Sequence, residues 1–501
     1  MWSAKVFLMN NLSNSKVSST SKKNIPLKYP NRENKVNLRY NQKKINIVYR
    51  TTNDSFEIKI DSHKYSVKYP KNIFSYLDQQ TKDVLLANFI YTRTAPLTLN
   101  NNLLFFHMPR PLLKEFVDYG VKKDLPRIKE LIRANQAYQN SNYNFSTSSK
   151  TFFVKDKHTN KVKPNKKTSK DKAILSLSFG KDSLLSYGLA EEIGLNISLA
   201  FVNDMEKYNG NEFKIKKEIM RKFLTKEKKE IFFIQDNTDN IFRHQEITGQ
   251  EIMELDMTNA MLSFALELVP LAYQKQARYI IFGNEKDMSD YFLNNEGKKV
   301  YHACDQSSEY MAKKNHYLAR LSDKNLRVIS LIEPLYNLAE MKIIAQRYPR
   351  LLPYTMSCNS DKLTSEKWCG QCEVCAEMYL YATASFGEPE KIGLYKNYFD
   401  KKYQNLFPIF SGRMSNIEFY EKYREAPQVR DEHLLAFLLA YRRGFKGDLI
   451  DLFKNKYLKE SLRREKELYK RFFGIHHSAS LPDNLKEKVV KIFKQELINY
   501  S

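Results

Sequence analysis

Ala173-Ile174-Leu175-Ser176-Leu177-Ser178-Phe179-Gly180-Lys181-Asp182-Ser183 reads as a strand, a short polar turn and the opening of a helix. Leu, Tyr and Ala residues carry that helix to Glu192, and Gly194 stops it. The same rhythm repeats outward. Strand-length apolar runs at 197–202, 231–234, 279–282 and 328–332 alternate with helical patterns, one of them basic with Ile215, Ile219, Met220 and Phe223 on one face, another long and apolar at about 251–275. Strands alternating with helices predict a parallel, doubly wound α/β sheet over 173–385, with ligands bound beyond the carboxyl ends of its strands.

The turn at 178–183 is suited to a polyphosphate. A helix N-terminus presents unpaired N–H groups and a partial positive charge, and small Ser and Gly residues let the backbone close on an anion. Lys181 adds a mobile cation, and Asp182 can hold Mg²⁺ or cap the helix. The spacing is not that of Gly-x-x-x-x-Gly-Lys-[Ser/Thr]. It resembles the PP-loop of the ATP pyrophosphatase superfamily, usually Ser-Gly-Gly-x-Asp-Ser, with Phe179 where a Gly is usual. That resemblance implies an adenine nucleotide α-hydrolase-like fold and cleavage of ATP between its α- and β-phosphates. It also implies ATP contacts from Ser178, Phe179, Gly180, Lys181, Asp182 and Ser183, with Lys181 and Asp182 catalytic and Asp182 placing Mg²⁺. Phe201, Val202 and Asn203, at the end of the next strand, correspond to the adenine contacts.

The chain has five cysteines, four of them within 18 residues as Cys358-x₁₀-Cys369-Gly370-Gln371-Cys372-Glu373-Val374-Cys375. Such clustering in a large chain reads as a metal site rather than a disulfide scaffold. Four thiolates fill a Zn²⁺ tetrahedron and leave no open position, so the site is expected to be structural; an iron–sulfur cluster takes four thiolates too. Cys304 stands outside the set. It lies in His302-Ala303-Cys304-Asp305, a nucleophile-and-base arrangement that equally reads as an ordinary loop.

The PP-loop followed by the cysteine cluster resembles the 7-cyano-7-deazaguanine synthase family. The likeness extends through Glu333-Pro334-Leu335, Ala339-Glu340 and Tyr354-Thr355-Met356-Ser357-Cys358, and through Gly283-Asn284 after a strand, where that family has a loop near its active site; the resemblance implies that Gly283 and Asn284 also contact ATP. Leu338 occupies a position where Lys is common, and Glu285-Lys286-Asp287-Met288-Ser289 replaces the family's Asp-Tyr-Ser-Gly-Tyr run. The resemblance covers about 170–385. It implies an ATP-dependent ligase that activates a 7-carboxy-7-deazaguanine-like acid for attack by ammonia, with ATP and Mg²⁺ as cofactors and structural Zn²⁺. The alternatives are a PP-loop tRNA-modifying enzyme (thiolation or deazapurine attachment) and a non-enzymatic binding scaffold with a degenerate PP-loop.

The flanks lie outside that likeness. Residues 1–44 carry ten basic residues against Glu33 alone, and are expected to be a flexible basic arm. Residues 45–136 read as a small α+β module with strands at 45–49, 56–60 and 65–69, the last two a hairpin, and helices at about 73–90 and 111–135. Residues 137–172, with nine Lys between 150 and 172, read as a linker. Residues 386–501 read as helical, with patterns at 432–441, 462–473 and 485–497, and His476-His477 reads as a turn.

A formal net charge of +25 fits a polyanionic partner such as tRNA at these basic regions. Sixty Lys against 22 Arg, with many Asn, Ile and Tyr, fits an AT-biased genome equally well. The longest nearly apolar run, 261–273, contains Glu267 and is shorter than the roughly 18 residues a membrane helix needs. The chain is therefore expected to be soluble and cytoplasmic, with no membrane partner.

Overall fold

Neighbouring residues on a strand face opposite sides of a sheet, so Ile174 and Leu175, both fully buried, require cover on both faces. The computed structural model provides it. It describes residues 43–100, 102–134, 151–158, 168–204, 210–244, 247, 255, 257–322, 326–358, 360, 362–410 and 427–497. Most of the basic arm, residues 1–42, lies outside that set.

The first part of the chain runs β1 (Lys44–Thr51), β2 (Ser55–Ile60), β3 (His63–Lys68), α1 (Gln79–Thr94), β4 (Leu103–Arg110), α2 (Lys114–Ala134) and β5 (Thr151–His158). Next come β6 (Ser169–Ser176), α3 (Lys181–Glu192), β7 (Asn196–Asn203), α4 (Gly210–Glu227), β8 (Ile231–Asp236), α5 (Ala260–Lys275) and β9 (Ala277–Phe282). A small hairpin of β10 (Tyr291–Leu293) and β11 (Lys299–Tyr301) precedes α6 (Ser308–Ser322), β12 (Arg327–Ser330), α7 (Asn337–Arg347) and α8 (Glu373–Ser385). The chain closes with α9 (Pro427–Arg442), α10 (Asp448–Lys456), α11 (Leu458–Phe472) and α12 (Asp483–Glu496).

Ten strands form one sheet in the order β12-β9-β6-β7-β8-β3-β2-β1-β4-β5. The first five are parallel, with β6 pairing β9 on one side and β7 on the other. That is the expected doubly wound arrangement, and the chain reverses its direction of travel across the sheet at β6, above which the 178–183 turn sits. On one face Leu175, Leu199 and Ile281 pack with α3, α4, α7, α8 and the C-terminal helices. On the other, Ile174, Ala200 and Ile280 pack with α1, α2, α5 and α6.

Two boundaries differ from the sequence reading. The N-terminal strands are not a separate sheet: β3 pairs antiparallel with β8, Val67 opposite Asp236 and Lys68 opposite Gln235, so the module extends the main sheet. The stretch read as a linker contains β5, paired parallel to β4. Its lysines hid two rings: Phe152 stacks on Phe105 at 4.7 Å and Phe153 on Phe106 at 5.0 Å. Strands β4, β10 and β11 and helices α6, α8 and α10 have no counterpart in the sequence pattern described above.

The C-terminal helices are joined to the sheet by buried carboxylates. Glu333, just after β12, accepts from the Ser480 amide at 2.9 Å, the Ala479 amide at 3.0 Å and the Ser478 hydroxyl at 2.6 Å. Glu432 of α9, fully buried, accepts from the Leu338 amide at 2.9 Å and so caps the first turn of α7. No helix among the described residues is long and apolar enough to cross a membrane.

Candidate functional site

The turn between β6 and α3 is held by its own side chains. Ser178 Oγ donates to Ser183 Oγ at 3.3 Å, and Ser183 Oγ also lies 3.1 Å from the Gly180 carbonyl. Gly180 is the N-cap residue of α3, so the helix N-terminus opens at the loop. Phe179 has φ +64, the left-handed conformation that favours glycine, at the position where the resembled loops carry one. The backbone keeps the loop's shape while the ring is fully buried, meeting Phe223 edge-on at 5.5 Å and Phe201 at 6.4 Å.

Lys181 does not project freely. It is 5% exposed, and its ammonium lies 2.6 Å from both Glu285 and Glu340 and in contact with Asp182. Three elements converge here: α3 supplies Lys181 and Asp182, the loop after β9 supplies Glu285, and the first turn of α7 supplies Glu340. Gly283 permits the approach, since a Cβ there would sit 2.8 Å from that of Asp182.

Burial opposes charge on Lys181, but the three carboxylates outweigh it and hold the ammonium protonated well above its usual range. For Asp182 burial again acts against the ion, and Lys181 prevails, drawing the carboxyl below its usual value. Burial pushes Glu285 and Glu340 well above theirs, reinforced by the neighbouring acids. Three carboxylates facing one ammonium leave an excess of negative charge when all are ionised.

Oxygen atoms of Asp182, Glu285 and Glu340 lie within 4.8 Å of one another, and Glu340 Oε1 is buried without a hydrogen-bond partner. An all-oxygen donor set with spare charge fits a hard divalent cation such as Mg²⁺.

The second cluster contains the four expected cysteines and excludes Cys304. The Sγ separations are 3.7 Å for Cys358–Cys372, 3.8 Å for Cys369–Cys375 and 3.4 Å for Cys372–Cys375. A disulfide requires about 2.05 Å, whereas sulfurs placed about 2.3 Å from a central Zn²⁺ sit about 3.8 Å apart along a tetrahedron's edges. The cluster could hold a metal such as zinc. Cys372 is also the N-cap of α8, and the adjacent Trp368 is anchored by its indole N–H to the Ile392 carbonyl at 2.7 Å.

The other sequence candidates divide. Phe201 and Val202 lie on β7 with Asn203 at its C-terminal end; the Phe201 ring is core, stacked on Phe233 at 5.8 Å. Asn284 is fully buried and ties loops together, its Nδ2 donating to the Gln306 carbonyl at 3.3 Å and its own carbonyl accepting from Ser330 at 2.7 Å. Cys304 is 4% exposed, and burial beside Asp124 pushes its thiol well up, the opposite of an activated nucleophile. His476 Nε2 donates to the Arg471 carbonyl, 2.7 Å away, as part of the C-terminal packing.

Sequence reasoning quoted Glu285 and Glu340 but gave neither a role. Glu285 follows the end of β9 and Glu340 lies in the first turn of α7, and only the fold brings the two to Lys181. A comparison with protein-family models gives no match, and neither does a comparison with curated proteins.

Proposed function

We propose that the chain is an ATP-dependent, adenylate-forming ligase. The supporting observation is the convergence of Lys181, Asp182, Glu285 and Glu340 beside a helix N-terminus, where the chain reverses across a parallel sheet. Ser178, Gly180, Lys181 and Ser183 bind phosphates in this reading, and the end of β7 at Phe201, Val202 and Asn203 contacts adenine. Asp182, Glu285 and Glu340 would hold Mg²⁺, which when bound offsets the charge of the triphosphate. Lys181, held by those same carboxylates, stays protonated and adds positive charge beside the loop.

The acceptor is a 7-carboxy-7-deazaguanine-like acid. Its carboxylate oxygen attacks the α-phosphate, forming the acyl adenylate and releasing pyrophosphate. Ammonia then displaces AMP and leaves the amide. A second activation at the amide oxygen releases another pyrophosphate, and loss of AMP and protons gives the nitrile. Incubation with ATP and candidate acids tests the reading. AMP and pyrophosphate are expected, and ADP with phosphate would contradict it.

A second reading, modification of tRNA or attachment of a deazapurine to a macromolecule, is favoured by the net charge of +25. Thiolation through Cys304 is disfavoured by that residue's burial. Nucleic-acid binding is expected to be weak, and a steep fall of affinity with salt, lost on deleting the basic residues 1–42 from the otherwise intact chain, would promote this second reading.

A further inference from the structure

Two segments bring Glu285 and Glu340 to Lys181: the loop after β9 and the first turn of α7. They are tied to each other through backbone and side chains. The Lys286 amide donates to the Leu335 carbonyl at 2.8 Å. Asn337 Nδ2 donates to Asp287 Oδ2 at 3.3 Å, and the Tyr336 hydroxyl donates to Asp290 Oδ2 at 2.9 Å. Tyr336 is the N-cap residue of α7, and its carbonyl accepts from the Glu340 amide at 3.0 Å. A shift at either side-chain tie therefore moves a carboxylate of the cluster.

Both side-chain ties are held from behind by the C-terminal helices. Glu432 of α9, fully buried, accepts from Asn337 Nδ2 at 3.3 Å and from the Leu338 backbone amide at 2.9 Å. Asn337 has two side-chain N–H donors and so serves Asp287 and Glu432 together. Arg471 of α11 donates through Nη2 to Asp290 Oδ2 at 3.0 Å and to the Tyr336 hydroxyl at 3.4 Å. The Tyr336 ring also meets Phe472 edge-on at 5.0 Å. One carboxylate and one guanidinium thus grip the same pair of segments. Both come from helices beyond residue 385, outside the stretch that carries the family resemblance.

Carboxylates gathered at one point repel each other and spread unless something holds them. A small divalent cation tolerates little spreading, since Mg²⁺ requires near-ideal octahedral geometry at about 2.0–2.1 Å. We propose that Glu432 and Arg471 are positioning residues of the cation site: through Asn337, Asp287, Tyr336 and Asp290 they fix the separation of Glu285 and Glu340, so that α9 and α11 set how tightly a divalent cation binds. The C-terminal region then has a task that a strand-and-helix core alone would leave undone. This rests on Asp182, Glu285 and Glu340 being the cation's ligands; it does not depend on which acid is activated.

The test titrates the full chain, without nucleotide, with Mn²⁺, which takes the same oxygen donors as Mg²⁺, and reads the free ion by electron paramagnetic resonance. Wild type is expected to bind a Mn²⁺ ion that Mg²⁺ displaces and Glu340→Gln removes. Partners behind metal-binding groups are worth about 10–100-fold in affinity, so Tyr336→Phe, Arg471→Met and Glu432→Gln are each expected to weaken that binding about ten-fold or more while still melting cooperatively. Arg471→Lys keeps a cation beside Asp290 and recovers most of the affinity. Arg442→Gln breaks a partly exposed α9–α11 ion pair with Glu465 and leaves the affinity unchanged, which general loosening of the helices would not do. Unchanged Mn²⁺ affinity in folded Tyr336→Phe and Arg471→Met proteins, an equal loss in Arg442→Gln, or no such ion in wild type overturns the proposal. If no acid yields AMP yet Mn²⁺ behaves as stated, the ligase reading falls and this one stands. If AMP forms but the variants bind Mn²⁺ as wild type does, only this one falls.

Discussion

The amide of Met356 donates to the carbonyl oxygen of Phe179 at 2.8 Å. Two residues further on, Cys358 enters the four-sulfur cluster. One short segment thus joins the candidate phosphate loop to the candidate metal centre. The cysteines contribute no reactive group to this arrangement; they brace the backbone on which the loop leans.

Replacing Cys372 with Ser removes one sulfur ligand while leaving a hydroxyl that can still cap α8. Metal binding is in part folding energy, about 10 kcal/mol in small zinc modules, so losing about 3 kcal/mol of it lowers Tm by roughly 3 °C in a fold of this size. Elemental analysis is expected to find one zinc per wild-type chain and far less in the variant. Iron with visible absorbance would replace zinc in this account, and undiminished metal in Cys372→Ser would remove the site.

Phe179→Gly sets two effects against each other. A left-handed φ costs a non-glycine residue about 1–2 kcal/mol, which glycine would recover. Emptying a fully buried phenylalanine site costs about 3–5 kcal/mol. Burial wins, and the variant is expected to be less stable by about 2 kcal/mol, read as a lower urea midpoint. A more stable variant would show that strain at the loop outweighs its packing.

Lys181→Met leaves three buried carboxylates without their cation, a change expected to cost about 3–5 kcal/mol near neutral pH. Lys181→Arg keeps the charge and is expected to fold, with ATP turnover reduced at least ten-fold because the fork cannot sit as the ammonium does. Thermal melts and turnover of the two variants check this together.

The pH dependence of stability follows from the same cluster. Glu285 and Glu340 have folded carboxyl pKa values above the usual 4.5, so the folded state holds their protons more tightly. Their contribution is fully present below about pH 4.5 and is lost as pH rises through the folded values. Asp182 is shifted down, so its contribution is present above its usual 3.8 and lost as pH falls below it. Glu340→Gln removes one raised group, and is expected to flatten the decline of Tm with rising pH above 4.5. An unchanged slope would contradict the assignment of these shifts. Mg²⁺ is expected to raise Tm most at high pH in wild type and little in Glu340→Gln.

Much of this was legible because particular residues left no alternative. Leu175 and Ile281, in short apolar runs between helical patterns, required a sheet covered on both faces, and four closely spaced cysteines required a metal-type cluster. The long-range pairings were not legible. Nothing local in Val67 or Lys68 indicates that β3 lies against Asp236 and Gln235 of β8. The lysines around Phe152 and Phe153 masked an edge strand, because composition reports solvation and not the two rings that stack. Glu285 and Glu340 are 55 residues apart and meet only through Lys181, a convergence that tertiary structure alone creates.

The central claim is that a carboxylate oxygen of the acceptor attacks the α-phosphate of ATP. An acid labelled with ¹⁸O in its carboxylate, incubated with ATP, ammonia and the full chain, tests it directly by mass spectrometry of the products. The account predicts one ¹⁸O atom in the phosphate of AMP and none in pyrophosphate. Label in inorganic phosphate with ADP as the nucleotide, or AMP that carries no label, would contradict it.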